Sequence, residues 1–462
     1  MTVDLDQLTI GAAAALIAAR ELSVVELIEG VLGRLEDTEP VVHAYACVLA
    51  DSARVSASRA DRELRSGRAR GPLHGIPFGV KDLFWTEDAP TEAGSRVLAG
   101  FRAPEDATAV RRLREAGAIM IGKQVTHEFA LGQNVPPTRN PWNLEHYPGG
   151  SSAGAGVSVA VGSSLAALGT DAGGSVRKPA ALNGVVGLKP TAGRVSRHGL
   201  VPPSGSLDAV GPIVRTVEDC ALVLQALAGP DAGDASASAE SVPDYLVGLE
   251  EGVAGMRLGL CDYFFGSELE PEIRSLVEAA IEVCEGLGAK LVPVAIPTLD
   301  HALPAGLTIL AAEAASAHRH LLGTRRDAYE EGTRRALEFG ALLPAAEVKV
   351  AERMRVRIRA EIDLAFRLAR LDALLAPTLP RTSIPLAEMR GDRDLPSFNP
   401  YTMPASLTGL PALTVPCGFT SDGLPAGLQV IGGPFDEARV LRVGHAYQGA
   451  TGWHRRRPRP EI

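Results

Sequence analysis

Short apolar runs alternate with helical patterns along most of the chain, and this alternation predicts an α/β fold. The runs "GAIMIGKQ" at 117–124 and "SSLAALGTD" at 163–171 have the length and apolar character of buried strands. Capping patterns that begin at Ser23 and at Thr216 indicate the first turns of two helices. We therefore predict a mixed central β-sheet that is covered by helices on both faces.

The same alternation continues through the second half of the chain. It predicts a loop, a strand–helix–strand unit, a helical span over one face of the sheet, and two strands around a turn, at 229–245, 256–297, 308–370 and 409–433. The length of 462 residues would by itself allow about three domains. Because no internal repeat is visible and the alternation is continuous, we predict a single large domain.

Composition and charge argue against several classes of protein. Apolar residues make up 46% of the chain and charged residues 22%, which is ordinary globular usage. The net charge of −9 gives no electrostatic reason to expect nucleic acid as a direct partner. Five cysteines without a C-x-x-C spacing speak against a zinc site and fit a reducing compartment. No segment has the character of a membrane span or signal peptide, so we expect a cytoplasmic protein.

Two glycine-framed serine motifs suggest a nucleophile. The stretch "HYPGGSSAG" contains a G-x-S-x-G with Ser152 at its centre, and Ser175 follows in "GTDAGGSVRKPA", 24 residues after Ser151. The G-x-S-x-G pattern is typical of Ser-His-Asp hydrolases, which need a histidine base later in the chain. We predict that two of the candidate bases, His318 and His320, lie at a helix surface. All the candidates lie outside glycine-rich or loop-rich patterns, and they are His198, His301, His318, His320 and His445.

A lysine offers a second kind of base. Lys81 ends the apolar, strand-like run in "GPLHGIPFGVKD" at 71–82. Burial there would disfavour the charged ammonium and lower the pKa, which is what a lysine base requires. A strand-end lysine whose ammonium reaches solvent is the alternative that this segment leaves open.

Three segments together resemble the amidase signature family of serine hydrolases. Similarities at 140–143, 193–196 and 406–432 extend the resemblance over most of the chain. It implies the amidase signature fold, with one amidase domain over 1–462 and the signature core at 71–215. The three segments occur in the family's order and spacing, and they are "GIPFGVKD", "PGGSSAG" and "GTDAGGSVRKPAALNGVVGLKPT".

The resemblance implies a Ser-cisSer-Lys triad. Ser175 would be the nucleophile, Ser151 the bridging serine preceded by a cis peptide bond, and Lys81 the base. Ser152, the centre of the G-x-S-x-G pattern, would then be a supporting hydrogen-bonding serine.

Further residues near Ser175 receive roles from the same resemblance. Asp171 and Arg177 would be a supporting polar pair. Lys178 lies one helical turn after Ser175, so its side chain points toward either the pocket or solvent, and in the first case it would bind an acidic or polar substrate. Substrate contacts are expected at Lys178, Gln133 and Ser406. An oxyanion hole is expected from the backbone N–H groups of Ala172, Gly173, Gly174 and Ser175.

The function expected from these observations is a free-standing amidase that uses no metal or cofactor. It would hydrolyse C–N acyl bonds of linear amides, anilides or carbamates, and also esters, through a Ser175 acyl-enzyme, so aryl acylamidase and urethanase activities are open. We expect a monomer or homodimer with a small-molecule substrate, no nucleic acid and no membrane. The alternatives are the glutaminase-type A subunit of a tRNA-dependent amidotransferase, which would need partner subunits, and a non-enzymatic binding protein.

Overall fold

A computed structural model describes residues 4–131, 135–201, 205–389 and 398–459. Within these ranges, 11 strands form one mixed sheet. The strands are β1 (Tyr45–Val48), β2 (Pro77–Lys81), β3 (Ile119–Gln124), β4 (Ala166–Asp171), β5 (Val186–Lys189), β6 (Ala209–Val214), β7 (Arg257–Cys261), β8 (Lys290–Val294), β9 (Ala373–Pro377), β10 (Ala412–Phe419) and β11 (Pro425–Ile431). Their order across the sheet is β1-β3-β2-β4-β6-β5-β10-β11-β9-β7-β8.

Helices flank this sheet. They are α1 (Ile10–Ala18), α2 (Val24–Val42), α3 (Ala50–Arg65), α4 (Thr108–Glu115), α5 (Ala153–Val161), α6 (Arg177–Asn183), α7 (Val217–Leu227), α8 (Pro271–Gly286), α9 (Ala302–Ala317), α10 (Arg319–Arg325), α11 (Glu331–Leu342), α12 (Ala345–Ala369), α13 (Leu386–Met389), α14 (Met403–Thr408) and α15 (Glu437–Ala450). Short 3₁₀ turns occur at Arg96–Leu98, Glu128–Ala130, Asp262–Phe265, Pro297–His301, Arg326–Ala328 and Trp453–Arg455. No helix in the described ranges is long and apolar enough to cross a bilayer.

The predicted α/β fold, with its mixed sheet between helices, is confirmed. The capping box at Ser23 is present, because its side chain accepts from Glu26 N–H while the Glu26 carboxylate accepts from Ser23 N–H. The Thr216 side chain likewise accepts from the N–H of Asp219 at the start of α7. The strand–helix–strand unit is β7-α8-β8 with parallel strands, the span 308–370 is largely helical, and β10 and β11 form an antiparallel pair.

The centre of the sheet positions the site. Strand β2 is parallel to β4, with Val80 opposite Leu168, so the carboxyl ends of both strands meet at one edge of the sheet. Lys81 ends β2 and Asp171 ends β4. Every residue of the two strands is buried, which explains why they appear in the sequence as continuous apolar runs.

One prediction about the helical span is wrong. His318 is only 1% exposed, and its Nδ1 lies 2.9 Å from Tyr329 Oη, with the ring edge-on to Phe129. The chain turns between α9 and α10 at this residue, which directs the ring into a small apolar cluster. His320 is exposed, as predicted.

Candidate active site

Lys81 lies at the bottom of the site, and 0% of it is exposed. Its Nζ donates to Ser151 Oγ at 2.7 Å and to Thr170 Oγ1 at 2.8 Å. Burial lowers the pKa of Lys81 to about 7, although the charges of Asp208 and Asp171 oppose this shift. The amine can therefore be neutral near neutral pH and accept a proton. The alternative of a lysine that reaches solvent is excluded.

The loop before α5 holds Ser151 against this lysine. The peptide bond between Gly150 and Ser151 is cis, as the resemblance predicted. A Cβ at Gly150 would lie 2.6 Å from Tyr147 Oη, so only glycine fits at this position. The N–H of Ser152 donates to the carbonyl oxygen of Ser175 at 3.3 Å. The two serine motifs, separate in sequence, therefore lie side by side.

Ser175 lies in the short connection between β4 and α6. Gly174 precedes it with φ +117°, a conformation that favours glycine. Over the continuous stretch 151–191, all residues are buried except Ala172, Ser175 and Lys178, which are partly exposed. Ser175 is therefore one of three residues in this stretch that a substrate can reach.

The predicted oxyanion hole needs one correction. The N–H of Gly174 donates to Asp171 Oδ1 at 2.7 Å. A donor already bonded to a carboxylate is not available to a developing oxyanion, so Gly174 does not belong to the set. The N–H groups of Ala172, Gly173 and Ser175 remain the proposed donors.

Asp171 and Arg177 form an ion pair directly behind the nucleophile loop. Arg177 Nη2 lies 2.9 Å from Asp171 Oδ1, and both side chains are 0% exposed. Burial would raise the pKa of Asp171, but the charge and hydrogen bonds of Arg177 outweigh it and hold that pKa well below its ordinary value. The pair thus fixes the start of α6.

Ser406 belongs to this pair rather than to a substrate pocket. Its Oγ accepts from Arg177 Nη2 at 2.7 Å and donates to Asp171 Oδ1 at 3.1 Å. Only 2% of the residue is exposed. The predicted substrate contact at Ser406 is therefore wrong, because the hydroxyl satisfies a buried ion pair.

Arg177→Met should lower the free energy of unfolding by about 3–5 kcal/mol, because it leaves the Asp171 carboxylate buried without its cation. Urea titration measures this loss. Arg54→Met is the control, since Arg54 also pairs with a carboxylate at 2.9 Å but is 41% exposed. We expect at most about 1 kcal/mol from the control. Equal losses in the two variants would contradict the role given to the buried pair.

The structure gives no support to a Ser-His-Asp relay on Ser152. Ser152 is 0% exposed, and its Oγ donates to the carbonyl of Thr170 at 3.4 Å. Two of the candidate histidines have other partners, His198 with Glu105 at 3.0 Å and His318 with Tyr329. The supporting role predicted for Ser152 stays a prediction, and the structure shows its side chain to be buried.

The sequence did not predict two polar residues that bind the lysines of the site. Thr170 is the residue before the last in β4, and a search for polar residues near the ends of neighbouring parallel strands could have found it. Asn399 accepts from Lys178 Nζ at 2.6 Å from 221 positions away, and no local pattern points to that contact. Gln133, the remaining predicted substrate contact, lies outside the described residues.

Comparisons with known proteins agree over nearly the full chain. The sequence model of the family described as Amidase matches residues 26–441. The A subunit of glutamyl-tRNA(Gln) amidotransferase from Halorhodospira halophila is 44% identical, over 98% of this chain and 99% of that relative. The crystal structure of the same-named subunit from Thermotoga maritima is 35% identical with a TM-score of 0.84, over 100% of this chain and 99% of that one.

Another solved structure is similar in fold. It is described as a vestigial protein complex that reveals the evolutionary origins of an s-triazine catabolic enzyme. The matched chain is 33% identical with a TM-score of 0.90, over 98% of this chain and 100% of that one.

The relatives overturn two expectations. A free-standing amidase for linear amides, anilides, carbamates or esters is the wrong main expectation, because relatives at 41–44% identity over nearly the whole chain carry the name of an amidotransferase subunit. The expectation of a monomer or homodimer without nucleic acid is wrong for the same reason, since that name denotes one subunit of an enzyme whose substrate is a tRNA. The relatives favour the alternative, a glutaminase-type subunit of such an amidotransferase.

Proposed function

This chain belongs to the amidase family, and on that premise we propose that it is the amide-hydrolysing subunit of a glutamyl-tRNA(Gln) amidotransferase. It releases ammonia from the side-chain amide of glutamine, and a partner subunit uses that ammonia on the tRNA-bound glutamyl group. The observation that carries the proposal is the identity of 44% to such a subunit, over 98% of this chain and 99% of the relative. Residues 71–215 form its catalytic core, because they contain Lys81, Ser151 and Ser175.

The first chemical step is attack by Ser175. Neutral Lys81 accepts the proton of Ser151, which accepts that of Ser175 as its Oγ bonds to the amide carbon. Support for this relay comes from the contact of 2.7 Å between Lys81 Nζ and Ser151 Oγ and from the pKa of about 7. The negative charge that develops on the carbonyl oxygen is stabilised by the N–H groups of Ala172, Gly173 and Ser175, each typically contributing about 10²–10³ in rate.

The second step breaks the C–N bond. Protonated Lys81 returns the proton through Ser151 to the leaving nitrogen, so ammonia departs and an ester forms between the acyl group and Ser175 Oγ. Water then attacks the ester through the same relay and regenerates the hydroxyl of Ser175. Each cycle consumes one amide and one water and produces one carboxylate, one ammonia and one proton.

The proposal also accommodates the acidic charge of the chain. A net charge of −9 gives no electrostatic reason to expect direct contact with nucleic acid. A subunit that only supplies ammonia need not bind the tRNA itself, so the charge is compatible with this role. We place the complex in the cytoplasm, because all five cysteines are free and fit a reducing environment.

Amide transfer by the assembled complex tests the proposal. The chain co-expressed with its partner subunits should convert glutamyl-tRNA(Gln) to glutaminyl-tRNA(Gln), with heavy nitrogen from amide-labelled glutamine appearing in the product by mass spectrometry. The Ser175→Ala complex should lose this reaction with glutamine and keep it with ammonium chloride, because the substitution removes only the source of ammonia. A wild-type complex that uses ammonium chloride but never glutamine would overturn the proposed donor.

A further inference from the structure

Lys178 faces the same opening as the nucleophile. Its N–H donates to the carbonyl of Gly174 at 2.7 Å, which places it on the helical turn that begins beside Ser175. The partly exposed residues of the stretch 151–191 are Ala172, Ser175 and Lys178, spaced three apart. Residues three apart on a helical turn lie on one face, so Lys178 shares the exposed face with Ser175 and does not point away into solvent.

Among the described residues, the ammonium of Lys178 has a polar partner but no carboxylate in direct contact. Its Nζ donates to Asn399 Oδ1 at 2.6 Å. Within the described parts of the chain, no carboxylate oxygen lies within 4.0 Å of this nitrogen, and Asp171, whose charge acts on it from a greater distance, is paired with Arg177. Burial lowers the pKa of Lys178 to about 8, although Asp171 opposes the shift, so the side chain is still largely protonated at neutral pH.

A cation at the opening of a site without a compensating anion is unfavourable unless a ligand supplies one. The neutral amide oxygen of Asn399 orients the ammonium without cancelling its charge. An anionic group on the substrate would compensate the charge of Lys178. Carboxylate is the group that fits an amidase substrate, because it hydrogen-bonds strongly to an ammonium.

We propose that Lys178 and Asn399 form a subsite that binds a carboxylate of the substrate. The substrate class is then the amide of an acid that carries a second, free carboxylate a few bonds from the scissile carbonyl, since Cβ atoms three residues apart on a helix are about 5–6 Å apart. This inference rests on the proposed function only in that glutamine is one member of the class. It assigns substrate binding to two residues and leaves the chemistry with the relay.

A pair of matched amides tests the subsite. Glutaric acid monoamide carries the free carboxylate, and pentanamide has the same chain length without it. The preference of the wild type for the acidic amide, expressed as a ratio of kcat/KM, should fall roughly 10–100-fold in Lys178→Met, mostly through KM. Lys178→Arg should restore much of the preference because it restores the charge. Lys349→Met, at a side chain that is 74% exposed, is the control and should leave the ratio unchanged.

A second readout does not depend on turnover. Glutarate should slow the labelling of Ser175 by a fluorophosphonate in the wild type, and this protection should weaken in Lys178→Met and in Lys178→Gln. Equal protection in all three proteins would overturn the subsite. The subsite would also be overturned if the KM of the acidic amide equalled that of pentanamide both in the wild type and in Lys178→Met.

The outcomes separate the subsite from the proposed function. Hydrolysis of glutaric acid monoamide that depends on Lys178, without any hydrolysis of glutamine in the assembled complex, would support the subsite and refute the glutamine-dependent role. Hydrolysis of glutamine with the same KM in the wild type and Lys178→Met would support the glutamine-dependent role and refute the subsite.

Discussion

Replacing Ser175 with alanine is expected to lower amide hydrolysis by on the order of 10⁶-fold, because a hydrolase that loses its nucleophile keeps only binding and oxyanion stabilisation. The loss should appear in kcat with glutamine or with glutaric acid monoamide as substrate. Ser175→Ala should also abolish labelling by a fluorophosphonate. Among the described residues, Ser175 is the serine that lies between β4 and α6, and it is partly exposed.

Ser152→Ala is the matched control for this experiment. Ser152 belongs to the G-x-S-x-G pattern, yet its hydroxyl is buried and makes only a long contact of 3.4 Å to the carbonyl of Thr170. The variant should therefore keep measurable activity and full labelling. Loss of labelling in Ser152→Ala with retention in Ser175→Ala would reverse the assignment of the two serines.

Substitution of Lys81 has the second largest expected effect. Because only the neutral amine accepts a proton, kcat/KM in the wild type should rise with pH through an ionisation near the pKa of about 7 and reach a plateau above it. Lys81→Ala should lower kcat/KM by about 10²–10⁴-fold and lose this ionisation. Stopped-flow or coupled assays of ammonia release from pH 5 to 10 measure both effects.

Lys123→Met is the control for the loss of a buried lysine. Lys123 lies in β3 opposite Val80 of β2 and is also buried, but it pairs with Asp82 at 3.1 Å and donates to the carbonyl of Phe84 rather than to a serine of the site. The variant should be less stable, while its folded fraction should keep the wild-type pH profile. The same ionisation in Lys81→Ala as in the wild type would exclude Lys81 as the base.

Local elements of the fold were predictable because their signals lie within a few residues. The capping box at Ser23 and the cap at Thr216 each depend on side chains that reach backbone groups three positions away. The order of the strands was not predictable in this way. Strand β10 pairs with β5 through Leu413 and Leu188, and nothing near either residue specifies so distant a partner.

The residues of the site also differ in whether a local sequence signal identifies them. Lys81, Ser151 and Ser175 were predictable because they lie in motifs whose residue types fit one chemistry. Ser406 was misassigned because the sequence does not show that its hydroxyl meets a buried ion pair more than 200 positions away. The prediction that the N–H of Gly174 belongs to the oxyanion hole was wrong for a similar reason. The hydrogen bond from that N–H to Asp171 depends on the conformation of the turn.

The function was the least predictable part. Residues that perform amide hydrolysis are the same in a free-standing enzyme and in a subunit that supplies ammonia, so the relay cannot distinguish them. Net charge could not distinguish them either, because it reports on direct contact with nucleic acid and not on what a partner subunit binds. Similarity over nearly the whole chain to named amidotransferase subunits favours the second, which is why we propose it.

The most direct test of this account is the position of the acyl group that glutamine leaves on the enzyme. The assembled complex is mixed with glutamine, quenched in acid and digested with trypsin. Ser151, Ser152 and Ser175 all fall in one peptide, because the sequence has no lysine or arginine between Arg139 and Arg177. Fragmentation in the mass spectrometer must therefore locate the added mass. We predict the glutamyl acyl group on Ser175, and an acyl group on Ser151 or Ser152, or none with glutamine while another amide acylates Ser175, would contradict the account.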